Sequence, residues 1–234
     1  MSARRSLAPE RLRWMHDRLW EAYGPQHWWP ARTSFEVVLG AYLTQNTSWK
    51  AVERSLNHLR AAGALTIDGL RALNVDELQA LIRPSGFATR KAPALKAFVA
   101  MLDGEFGGSL ARLAAAPTAA LRTRLLALPG VGPETADAIL LYALGHATPV
   151  GDEYLRRIAE RHRLLEPGRG RAGYDALVQL TRAAFSGDPE ASHARLFNEF
   201  HALIVAVGKA HCSRVAHCNG CLLAEDPHHV RSKN

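Results

Sequence analysis

Cysteine is scarce in this 234-residue sequence, and its three copies, Cys212, Cys218 and Cys221, all fall within one ten-residue window. A disulfide scaffold needs paired cysteines spread along the chain, so none is expected; clustered cysteines in a reducing compartment point to metal ligation. Long apolar runs are also missing. No segment approaches the roughly 18 apolar residues of a membrane span, and the N-terminus MSARRSLAPERLRW lacks the apolar core of a signal peptide. A cytoplasmic protein without a membrane partner is expected. No stretch shows the strict alternation of a strand, which points to an all-α fold. Acidic residues are outnumbered, 22 against 29 basic ones, for a formal charge of +7. A polyanionic partner and a solvated basic surface are both consistent with that balance. With 47% hydrophobic residues the chain is globular, and its length suits one large domain or two small ones.

The chain is organised around Leu128 to Arg157, LPGVGPETADAILLYALGHATPVGDEYLRR. Gly130-Val131-Gly132 is a tight turn that allows close backbone approach, and Pro133 suits the first position of a new helix. Ala136, Ile139, Leu140, Ala143 and Leu144 repeat at helical spacing until Gly145. Leu121 to Leu128 is helical in pattern too, so the unit reads helix, hairpin, helix. Amides exposed at such a hairpin suit a phosphate, although a plain helix-capping turn has the same residues. Asp152 follows about twenty residues later and opens another helix.

LPGVG followed by ATPVGD resembles the helix-hairpin-helix, Gly/Pro-rich loop and aspartate of the endonuclease III superfamily of DNA glycosylases. GAYLTQNTSWKAVERSL (residues 40–56) looks like that family's base-flipping segment, and RPSGFATRK (83–91) like its second phosphate-binding turn. The resemblance covers nearly the whole chain in order. It implies a two-lobed all-α glycosylase fold, with residues 34–146 as a helical bundle, and 1–33 plus 147–234 as a second lobe ending in a cysteine-rich metal loop at about 212–229. It further implies a monomer that binds double-stranded DNA carrying a damaged base in the cleft between the lobes, nucleoid-associated through that binding. Gln45 is implied to fill the hole left by an extruded nucleotide. Gly130, Val131, Gly132, Gly86, Arg90 and Lys91 are implied as backbone contacts, although exposed helix charge explains Arg90, Lys91 and Lys96 equally well.

Base removal passes through an oxocarbenium-like state that a carboxylate stabilises, or for which it activates water. Asp152 is the candidate; an aspartate before a helix is also a routine N-cap, and the two roles are compatible. Two residues beyond the hairpin, relatives that also cut the strand carry a lysine that attacks the sugar to give a Schiff base. Here that position is Glu134, and a carboxylate cannot form the imine. With LTQNTSW, this looks most like the monofunctional branch that removes 3-methyladenine. Glu134 would then line the pocket and pair with a cationic alkylated base, or donate a proton; complementing the helix dipole is the simpler alternative. Oxidised pyrimidine is the second substrate class, and a non-catalytic damage-binding protein the rival function.

The family's iron–sulfur loop has four cysteines spaced x6, x2 and x5. Here the spacing is x5 and x2, and Pro227 stands at the fourth place, followed by His228 and His229. The resemblance favours a [4Fe–4S] cluster on Cys212, Cys218 and Cys221 with His228 (or His229) as fourth ligand; zinc or no metal are the alternatives.

Elsewhere, helices are expected over Pro9 to Tyr23, from a cap at Ser34, over Trp49 to Leu59, Val75 to Ile82, Lys91 to Leu102, Tyr154 to Leu165, Tyr174 to Phe185 and Ala191 to Lys209. A surface loop is expected at Glu166 to Gly173. His27-Trp28-Trp29-Pro30 is read as a packing loop, with base stacking as the alternative.

Overall fold

A computed structural model describes residues 7–29 and 31–228. Among them there are twelve α-helices and no strand, as the missing alternation predicts. The chain divides into two compact units, Trp29–His146 and a second that joins the N-terminal stretch through Trp28 to the chain from Ala147 onward.

In the 29–146 unit the central helix is α2 (Ser34–Leu43). Every residue from Phe35 to Leu43 is buried, all of them apolar or glycine except Glu36 in the first turn, and a helix that is apolar on every side belongs inside a core. Around it stand α3 (Trp49–Ala61), α6 (Ala88–Phe106) and α9 (Pro133–Ala138). The short helices α4 (Ile67–Ala72), α5 (Val75–Ile82), α7 (Leu110–Ala114) and α8 (Thr118–Leu126) complete the unit. Thr33, not Ser34, caps α2: its hydroxyl accepts the Glu36 amide at 3.1 Å. The helix expected to run to Gly145 changes to a π-helical stretch over Ile139–Ala143. That widening is invisible to a search for 3.6-residue periodicity.

In the other unit, α1 (Ala8–Tyr23) packs on α11 (Gly170–Ala184) and α12 (His193–Ala210), and α10 (Glu153–Arg161) packs on α12 and α11. Leu12, Met15 and Leu19 of α1 share this unit's core with Phe185, Phe197 and Phe200, all fully buried. The expected loop through Gly173 is shorter, because α11 begins at Gly170. Its first turn carries exposed Arg171 and Ala172, so no apolar signal marks it. The 29–146 unit opens at Trp29, which packs on Trp49 and Tyr142, with ring centroids at 5.5 and 5.2 Å.

Helix α10 carries Asp152 at its N-cap, so its seat on α12 positions the candidate catalytic group. That seat depends on Gly208: a β-carbon there would lie 2.4 Å from Tyr154 Cδ1 and 2.7 Å from Tyr154 Cβ. Alanine is normally the better helix residue, yet here the clash involves the stiff base of a ring. Gly208→Ala is therefore expected to destabilise the fold by about 1–3 kcal/mol, as overpacking does, measured by urea unfolding.

Candidate nucleic-acid interface

The hairpin Gly130-Val131-Gly132 joins α8 to α9. Gly130 sits at φ +74°, where a side chain would be strained, and its space is bounded by Ala94 Cβ at 3.4 Å from any added β-carbon. Val131 is buried and anchors the turn, while Gly130 and Gly132 are exposed. Gln45 reaches this hairpin from the loop after α2: its Nε2 donates to the Gly130 carbonyl and to Thr135 Oγ1, both at 2.9 Å. The predicted wedge and the predicted phosphate turn are thus in direct contact within one unit.

The second turn follows a short 3-10 segment, Arg83–Ser85. Gly86 has φ +67° and the next residue, Phe87, has φ +50°. A bulky residue in the left-handed region is an outlier, costing of order ~1–3 kcal/mol. Phe87 is also 57% exposed. The sequence carried no signal for a strained, solvent-facing aromatic at this turn, which it marked only by Pro84 and Gly86. Arg90 is exposed beside it.

Lys91, expected among the backbone contacts, is placed otherwise. It is 4% exposed, and its ammonium donates to the carbonyls of Leu43 (2.8 Å), Gln45 (3.0 Å) and Ser85 (2.9 Å). Three donors are all that an ammonium has, so it cannot also reach a phosphate. Lys96 is likewise committed, to the carbonyls of Leu70, Arg71 and Leu73 at 3.1, 2.9 and 2.7 Å.

Asp152 is the N-cap of α10: Oδ1 accepts the Leu155 amide at 2.8 Å and the residue is 8% exposed. Its other oxygen, Oδ2, faces His201 Nε2 at 3.6 Å, and His201 is 8% exposed. The signal for His201 was a lone polar residue on the apolar face of α12, where a buried polar group has to meet a partner. Glu134 lies exposed in the first turn of α9. Thr135 and Asp137 on the same helix are buried, and Asp137 is clasped by Arg122 at 2.7 and 2.9 Å. The two loop tryptophans part company. Trp29 joins the aromatic group with Trp49 and Tyr142, while Lys209 Nζ stands 5.5 Å from the Trp28 ring centroid.

The C-terminal cysteines surround one pocket, lined by Cys212, Cys218, Cys221 and His228 together with Arg161 and His162. Among the described residues no three Cys, His, Asp or Glu side chains are placed to hold a metal ion, and His229 lies outside them. The donor chemistry nonetheless suits a cation. Arg161 Nη1 donates to Cys212 Sγ at 2.9 Å, so that sulfur serves as an acceptor. The Cys221 thiol is pushed up by burial and by its proximity to Cys218 and Cys212, a penalty that a bound cation reverses. His228 Nδ1 donates to the Asp226 carbonyl at 2.8 Å, since a carbonyl only accepts, which leaves Nε2 as the nitrogen that could face a metal.

Residues 39–177 match the family described as HhH-GPD superfamily base excision DNA repair protein. A protein of Methanocaldococcus jannaschii named as a DNA repair glycosylase is 41% identical over 211 residues, 88% of this chain and 91% of that one. Endonuclease III-like protein 1 of Bos taurus is 28% identical over 195 residues, 82% of this chain and 58% of its own length. Among solved structures, H. pylori 3-methyladenine DNA glycosylase bound to 1,N6-ethenoadenine superposes with a TM-score of 0.73 at 28% identity, over 88% of this chain and 98% of that one. An endonuclease III–DNA complex superposes at 0.74 with 21% identity, over 94% and 95%, which shows a common fold.

The cap and the candidate catalyst are the same carboxylate, and substitution separates the two roles. Asp152→Ala removes the cap and is expected to cost about 1 kcal/mol of stability, whereas Asp152→Asn, an equally good cap, is expected to cost almost none. Chemical denaturation of the two variants side by side measures the difference.

Proposed function

The chain belongs to the HhH-GPD superfamily of base excision DNA repair proteins and is a DNA glycosylase, and from that premise we propose that it is monofunctional and acts on alkylated purines in duplex DNA. The observation that carries this reading is Glu134. It stands exposed in the first turn after the hairpin, where strand-cutting relatives need an amine, and a carboxylate cannot form a Schiff base. A carboxylate at the pocket also suits a substrate base that carries positive charge.

On this reading the amides of the Gly130–Gly132 turn and the Arg90 guanidinium hold backbone phosphates. Gln45 and the exposed Phe87 ring enter the base stack as the damaged nucleotide leaves it, since apolar side chains serve as wedges between base steps. The aromatic group of Trp29, Trp49 and Tyr142 supports a stacking surface for the extruded base. The glycosidic bond then breaks, with its electron pair leaving on the base. The sugar cation is stabilised by Asp152, whose Oδ1 is committed to the helix amide, which leaves Oδ2, 3.6 Å from His201 Nε2, for the reaction. Water adds to the sugar and its proton passes to a carboxylate or to solvent. Oxidised pyrimidine is the second substrate reading, as the resemblance to the endonuclease III superfamily implies.

A [4Fe–4S] cluster is proposed for the C-terminal pocket, held by Cys212, Cys218, Cys221 and His228, the three thiols and the oriented imidazole being the support. Such a group supplies structural cross-linking and a redox centre, and no step above passes through it. The loop is otherwise tied down by Arg11, which pairs with Asp226 at 2.9 and 2.5 Å.

Two outcomes are expected. Duplexes carrying 3-methyladenine release free base, with strand breaks only after alkali, no borohydride-trapped adduct, and loss of release in Asp152→Asn. Release from thymine glycol instead would overturn the substrate assignment, and binding without release from either duplex would make the protein a damage binder. Protein purified without oxygen is expected to carry iron and sulfide in equal amounts, with visible absorbance lost in Cys218→Ala; zinc or no metal in that preparation would refute the cluster.

A further inference from the structure

Lys91 is a costly residue to bury, and burial lowers its basicity. Among the described residues, the groups its ammonium meets at hydrogen-bond distance are main-chain carbonyls, and those carbonyls belong to two separate turns. Leu43 is the last residue of α2 and Gln45 lies in the loop beyond it; Ser85 closes the 3-10 segment before Gly86 and Phe87. We propose that Lys91 is a positioning residue for base extrusion, whose ammonium locks the Gln45 loop to the Ser85–Phe87 turn so that both prongs enter DNA as one rigid piece. This rests on the reading of Gln45 and Phe87 as inserting residues.

The geometry around the lock is consistent. Carbonyls at a helix C-terminus have no intrahelical partner, so the end of α2 needs an outside donor, and Lys91 supplies it from α6. The Gln45 side chain is held from its other side by Gly130 O and Thr135 Oγ1 at 2.9 Å each. The Ser85 turn is fixed to α3, since Ser85 Oγ and Ser55 Oγ stand 2.6 Å apart and the Ser85 amide donates to Ser55 Oγ at 3.2 Å. Lys91 closes the link between these two anchored turns. Its own amide donates to the Phe87 carbonyl at 3.0 Å, directly at the strained residue. Strain of that kind persists only where surrounding contacts over-determine it. Rigidity matters because a loose prong must be ordered as it inserts, and that entropy is subtracted from binding.

The test uses the full chain, with Lys91→Met, the milder Lys91→Gln, Gln45→Ala, Phe87→Ala and the Lys91→Gln/Gln45→Ala double variant, each checked for folding by circular dichroism. The probe is a duplex with 2-aminopurine in a mismatch, whose fluorescence rises when the base unstacks. Lys91 variants are expected to bind undamaged duplex as wild type does, with an unchanged salt dependence. Their extrusion equilibrium falls roughly tenfold, and the double variant is less than additive because both residues act through one wedge. A salt slope reduced by about 0.9 would instead make Lys91 a phosphate contact, and full extrusion or strict additivity would remove its positioning role. Hydrogen exchange of the folded wild type adds a measurement that needs no variant: the amides of Thr44, Thr47, Ser85 and Gly86, each of which meets an acceptor, are expected to be protected before DNA is added, and unprotected exchange there overturns the lock. If Gln45→Ala and Phe87→Ala both extrude the base normally, it is the wedge reading that fails, independently of the Lys91 results.

Discussion

A fold made of short helices has many helix ends, and each end leaves backbone groups that must find partners outside the helix. That constraint underlies most of this structure. Lys96 satisfies the end of α4 and Lys91 the end of α2. Asp152 caps α10, Thr33 caps α2, and an extended Gly132 precedes α9. The candidate functional groups are helix-end residues or their immediate neighbours. A helix end places polar groups at a fixed point and angle, which is what phosphate recognition and transition-state stabilisation both require.

The sequence made the helix-end chemistry legible where one residue type serves one purpose. Pro133 after Gly132 marks a helix start, and Asp152 before Glu153 marks another; both stand where the residues alone place them. The all-α fold was legible because no apolar alternation competes with the helical pattern. Partners distant in sequence were not. Lys91 looks like any basic residue at a helix start, and only folding shows its side chain turned into three carbonyls 6 to 48 positions away. His201 meets Asp152 across helices, and the left-handed Phe87 follows from the path of the chain at Gly86, for which phenylalanine itself carries no preference. Periodicity likewise missed the π-helical stretch and the exposed first turn of α11, since neither presents a 3.6-residue apolar stripe.

Stability and function meet most directly on α10. Asp152 is at its N-terminus, and nearer its other end Arg157 donates to the Cys212 carbonyl at 2.9 Å. Arg161 reaches the Cys212 sulfur and the carbonyls of Ser213 and Arg214 at 2.9, 2.9 and 3.0 Å. One nine-residue helix therefore ties the candidate catalytic carboxylate to the cysteine loop. The loop also has a metal-free anchor: Asp226 is buried between Arg11 and His162, which stands 2.8 Å away, and burial holds His162 below the usual histidine range. A metal group in the pocket would add to these ties from the far end of α10. Gly208 lets α12 approach the same helix beside Tyr154. The position of Asp152 is thus set by packing along the whole of α10. Disturbance of the cysteine loop would reach the carboxylate as a shift of that helix, without any electronic role for the loop in breaking the glycosidic bond.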